Sequence, residues 1–165
     1  MLSRVLVGAV LVAWCSAAGA ADGRVEYASR WIEKQIAVPE LAHVEYCVMA
    51  KPEMADELGS QIAPFKAAAA KAALELAPRY ANSLRVELAM RSDPTGADAA
   101  ARGNAFSLAR QAPTDAFCRL LLRRLRTETV SDLVEIHGRV LDNAEARMKR
   151  DFPNGLPPAG APRAP

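Results

Sequence analysis

Residues 114–149 read TDAFCRLLLRRLRTETVSDLVEIHGRVLDNAEARMK. Stepping about 100° per residue from Phe117 gathers Phe117, Cys118, Leu120, Leu121, Leu122 and Leu125 into one wide apolar arc. Beyond Thr129 the corresponding set is Val130, Leu133, Val134, His137, Val140, Leu141, Ala144 and Met148. On the same ideal wheel its centre lies roughly 150° from the first. One straight helix cannot turn both arcs toward one core, so the pattern predicts two helices with a break between Thr127 and Thr129. Thr129 has the side chain of an N-cap, and Asp132, three residues on, puts an acid near the positive end of the second helix.

The same periodicity extends toward the N-terminus. Between Asp22 and Ala37, Val25, Ala28, Ile32 and Ile36 recur at three- and four-residue steps beside Trp31. Pro39 is expected to end that helix and open the next. Residues 40–50 admit a short strand, but no partner strand is evident and helix is preferred. Pro52 and Pro64 look like helix-starting prolines. Pro78 should kink or divide the helical run from Pro64 to Arg91. Ser92 to Gly96 reads as a loop, followed by a helix from about Ala97 to Gln111. Abundant Ala, Leu, Glu and Arg, with only nine glycines, agree with this pattern. The expected fold class is all-α, a single small helical bundle of five or six helices.

Both ends of the chain read differently from its middle. Arg4, the apolar run Val5–Trp14 and the small residues Ala18, Gly19 and Ala20 form the three parts of a secretory signal cleaved after Ala20. A lipidated Cys15 would need a small residue before it, and Trp14 is large. The apolar run is shorter than the roughly 20 residues that span a bilayer, so no membrane span is expected. The helical domain then covers residues 21–152, and the Pro- and Gly-rich residues 153–165 are expected to be a disordered tail. Losing Arg4 lowers the formal charge from +2 to +1, a balance without the basic footprint of a nucleic-acid partner.

Cys15 leaves with the signal, and Cys47 and Cys118 remain. In an oxidising compartment two distant cysteines read as one structural disulfide. Closing a loop of about 70 residues stabilises the fold by about 4 kcal/mol in the chain-entropy model. His43 lies one turn before Cys47, a spacing compatible with a metal, and Met49 and Met54 are soft donors nearby. The disulfide would consume the thiolate, however, and methionines commonly fill core gaps, so no metal site is expected.

His137 sits in the middle of the second apolar arc. As an axial ligand it would imply a haem- or small-ligand-binding bundle; as a core histidine it needs only a carbonyl or an acid. The missing Cys-x-x-Cys-His signal favours the second, and no cofactor is expected. Arg119, Arg123 and Arg126 form a solvated basic stripe. Arg124 instead points into the arc between Phe117 and Leu120, where a guanidinium needs a carboxylate such as Glu128 one turn on, or a bound anion. No nucleophile elbow, phosphate loop, zinc-protease helix or dinucleotide fingerprint occurs.

These features together point to a non-catalytic binding or interaction protein of the periplasm, of the inhibitor, immunity or envelope-accessory kind. Its partner would be another periplasmic protein or an anionic ligand, met near Arg124, His137 or the stripe. A small-ligand or haem-binding bundle and a small periplasmic enzyme are the alternatives. Protein recovered from the periplasm should begin at Ala21, which its intact mass will decide. Retention of Met1, or a lipid increment on Cys15, would show the leader to have been misread.

Overall fold

The computed structural model describes the backbone of residues 3–92 and 94–158, and the side chains of residues 22–92 and 96–158. Among them are six α-helices and no strand: α1 (Ser3–Ala50), α2 (Ala55–Tyr80), α3 (Leu84–Arg91), α4 (Pro94–Ala109), α5 (Thr114–Thr127) and α6 (Val130–Asp151). A 3-10 turn at Pro52–Met54 leads into α2. The protein is therefore all-α, with no described helix long and apolar enough to cross a membrane.

Contrary to expectation, α1 runs through Pro39 without a break. Proline has no N–H to donate to the Gln35 carbonyl, and its ring crowds that turn. The loss is tolerated because one side of α1 is buried on both sides of Pro39. Ala28, Ile32, Ile36, Val44 and Cys47 fall within an arc of about 160° on the helical wheel and are all at most 4% exposed. Ending the helix at Pro39 would split that stripe. Pro64 is likewise inside α2 and does not start it, because the buried series Leu58, Phe65, Ala69, Ala72, Ala73 and Leu76 continues across it.

Pro78 lies in the last turn of α2, and the chain divides just after it. The Ser83 hydroxyl then caps α3 by accepting from the Val86 amide at 3.2 Å. The loop expected at 92–96 is shorter than predicted, since α4 already begins at Pro94. After α6, residues 153–158 leave the helix, and Arg91 donates to the Pro157 carbonyl at 2.8 Å. The remainder of the expected tail, 159–165, lies outside the described residues, as do the side chains of the expected leader.

Helix α1 packs along α2, α4 and α5, while α6 crosses α2 and also meets α3. The small residues Ala69, Ala72, Ala73 and Ala77 let α2 contribute a buried face without bulk. Helices α5 and α6 are separated where the wheel predicts. Thr129 accepts from the Asp132 amide, and the Asp132 carboxylate accepts from the Thr129 amide at 2.8 Å, closing a capping box. The turn lets α5 bury Cys118, Leu121, Leu122 and Leu125, and lets α6 bury Leu133 and Leu141. Leu120 and Val140, at the edges of their arcs, remain 55% and 56% exposed. Tyr80 ties α2 to α6 through the Gly138 carbonyl at 2.9 Å and Asp142 at 2.8 Å. Burial and then the Asp142 carboxylate push the Tyr80 phenol up to about 12.

Cys47 on α1 and Cys118 on α5 are bonded, with Cα atoms 5.6 Å apart and a sequence separation of 71. Both are fully buried. Reduction should lower the unfolding free energy by about 4 kcal/mol, read as a fall in the urea midpoint with added reductant. A midpoint unchanged by complete reduction would mean that packing alone holds α5 on α1.

Candidate functional site

Two polar arrangements adjoin the core: one is held by internal ion pairs, with His43 Nε2 buried and unpartnered among the described residues, and the other is open. The first gathers residues from α1, α5 and the turn before α6. Arg124 donates through Nε to Glu128 Oε1 at 2.7 Å, and one of its Nη atoms forms an ion pair with Glu40 Oε1 at 2.8 Å. The second Glu40 oxygen lies 3.3 Å from His43 Nδ1. Glu40, Glu128 and His43 have side chains only 13%, 14% and 15% exposed. The His43 ring stands edge-on to Phe117, with centroids 5.2 Å apart.

Arg124 thus has the Glu128 partner that its spacing predicts, and a second carboxylate that the sequence reading did not anticipate. Burial drives the Glu40 carboxyl upward, but hydrogen bonding to His43 and the Arg124 charge outweigh it and leave the carboxyl below its ordinary range. Both its oxygens are engaged and its basicity is reduced, so Glu40 is a poor general base. Arg124 has little capacity left for a ligand: the space it shares with His43, Phe117, Leu120 and Leu121 is only about 30 Å³.

The basic stripe is solvated, as expected of a surface. Arg119 pairs with Asp115 at 2.9 Å and Arg126 with Glu57. Arg123 is exposed and has no ion-pair partner among the described residues. Cys47 is held in the disulfide, so no thiolate stands beside His43. Met49 is 66% exposed and Met54 packs at the edge of the core. No group of three or more potential metal-ligating side chains occurs among the described residues.

The second arrangement is a cleft between α1, α3 and α6, with a volume of about 150 Å³. Helix α1 supplies Trp31 and Gln35, one turn apart and flanking the buried stripe. Helix α6 supplies His137, Val140, Leu141 and Ala144, which share one face through three- and four-residue steps. Arg85 enters from the first turn of α3. That turn is anchored from α6, where Glu145 accepts from the amides of Leu84 at 3.1 Å and Arg85 at 3.3 Å.

The Arg85 guanidinium carbon stands 6.0 Å from the centroid of the Trp31 ring. Its Nε is buried and has no hydrogen-bond partner among the described residues. His137 lies beside it on the cleft wall. Desolvation holds the imidazole below its ordinary value; the opposing charges of Glu40 and Glu128 do not reverse this, and Arg124 reinforces it. His137 therefore stands between the two arrangements, and neither Arg124 nor the stripe shares its cleft.

Arg85, Trp31 and Gln35 are the members that sequence reasoning missed as a site. The available signal was Asn82-Ser83 following Pro78, a helix-start pattern that would have placed Arg85 on a first turn. No family model, curated protein or solved structure matches the chain, so the cleft is read from its own residues.

The depressed His137 has a consequence for stability. The unfolded chain takes up a proton as pH falls below the ordinary 6.5, while the folded imidazole resists until its lower value is reached. Stability is therefore complete above 6.5 and declines through that window; a separate loss from Glu40 follows below its ordinary 4.5. His137→Gln should abolish the decline in the upper window and leave the lower one, measured as urea midpoints across the pH range. An unaltered upper slope would mean that His137 is not the responsible group.

Proposed function

We propose that this chain is a small non-catalytic binding protein of the periplasm, and that it receives an anionic group of its ligand in the cleft between α1, α3 and α6. The signal-like N-terminus and the Cys47–Cys118 bond support the compartment. One observation carries the binding reading: Arg85 borders a cleft that also holds His137, and its side chain meets no carboxylate among the described residues. The guanidinium borders the cleft without meeting a carboxylate among the described residues, and an incoming anion would give it a charge-assisted partner. As a neutral imidazole, His137 would add one N–H donor.

The Arg124 cluster supports the non-catalytic part. Its two carboxylates are both committed to Arg124, which leaves no paired acid and base facing a cavity there. The exposed stripe is a weaker seat, because two of its three arginines already meet carboxylates in high-dielectric surroundings.

Titration with acetate, phosphate or sulfate at low ionic strength should move the Trp31 indole and His137 ring resonances saturably. Arg85→Gln should remove the response and Arg123→Gln should not. Shifts that gather around Arg119, Arg123 and Arg126 instead, or no saturable shift with any anion, would overturn the choice of seat.

A further inference from the structure

We propose that the cleft binds a small amphiphilic carboxylate, its carboxylate on the Arg85 guanidinium and a benzene-sized apolar body beside Trp31. This rests on the anion-binding reading above and adds what the anion is attached to. A cavity of about 150 Å³ is the size that takes a benzene ring when its walls are apolar. The accessible apolar wall here is made by Trp31 from α1 and Val140 and Ala144 from α6, with Ile32, Ile36 and Leu141 buried beneath it.

The polar groups are few and are grouped. An inorganic anion would pair with Arg85 and leave the Trp31 and Val140 side chains facing water. A hydrocarbon would fill the walls and leave the guanidinium unpaired. A ligand carrying both parts meets both requirements, which is the usual division of labour in a small-molecule site. The planar guanidinium favours a carboxylate because two N–H groups can meet its two oxygens side by side.

The Glu145 carboxylate does not take that role internally. Its oxygens accept from the amides of Leu84 and Arg85, and its other charged contact is Lys149 at 3.7 Å. Arg85, Val140 and Ala144 also border an open groove of about 560 Å³ that continues toward Arg147 and Asp151. A body bearing further substituents therefore has a way out along α6.

Three probes separate the parts of this proposal: benzoate, its neutral isostere benzamide, and acetate, each titrated against the purified protein while the Trp31 indole resonance is followed. Benzoate should bind at least tenfold more tightly than either of the others. Arg85→Gln should bring benzoate down to the level of benzamide. Ala144→Leu, which narrows the cavity without touching the charge, should weaken benzoate at least tenfold and leave acetate unchanged. Equal affinity for benzoate and acetate would overturn the amphiphilic ligand while leaving the anion seat standing. Equal affinity for benzoate and benzamide would overturn the carboxylate. No response at Trp31 to any probe would defeat both this inference and the reading beneath it. The comparison of ligands on the unaltered protein stands even if either variant fails to fold.

Discussion

The fold depends on one continuous buried stripe along α1, from Ala28 through Ile32, Ile36 and Val44 to Cys47. Pro39 lies in the middle of that helix and removes a backbone hydrogen bond, at a local cost of about 3 kcal/mol. Fully burying a single Ile or Val side chain is worth about 1.5–3 kcal/mol. Ile32 and Ile36 lie before Pro39 and Val44 and Cys47 after it, and their register holds only if the helix does not turn away. The packing term therefore outweighs the proline, and α1 remains a straight-through element against which α2, α4 and α5 are placed.

Placement of the polar groups follows from that stripe and from the link at its end. Cys47 fixes α5 against the last turns of α1, which brings Arg124 across to Glu40. The capping box at Thr129 then turns α6 back over α2, so that His137 meets the side of α1 marked by Trp31 and Gln35. Glu145, two turns further along α6, holds the start of α3 and with it Arg85. The cleft is thus assembled from three helices, each positioned by a contact outside the cleft itself.

The parts of this arrangement that were legible in the sequence are those set by spacing along one helix. The phase jump between the arcs around Leu121 and Leu133 located the break, and the step from Arg124 to Glu128 identified a pair. The disulfide was legible by elimination, because only Cys47 and Cys118 remain once residues 1–20 are set aside. Pro39 and Pro64 were misread because a proline reports its local cost and not the packing that offsets it. Glu40 with Arg124, and Arg85 with Trp31, were invisible for a related reason: periodicity gives the face of a helix but not the helix it will meet.

The two arginines that border the core differ in how the fold pairs them. Arg124 and Arg85 are both half-buried on helices of the same bundle. Arg124 has two carboxylates within 2.8 Å, so its desolvation is offset inside the protein. Arg85 has an aromatic face and amide-bound Glu145 nearby, yet its buried Nε is left without an acceptor among the described residues. Cation–π attraction of about 0.5–1 kcal/mol does not restore a lost charged hydrogen bond worth about 1.5–3 kcal/mol. The fold thus pairs Arg124 with two carboxylates and leaves Arg85 without one beside an apolar-walled space.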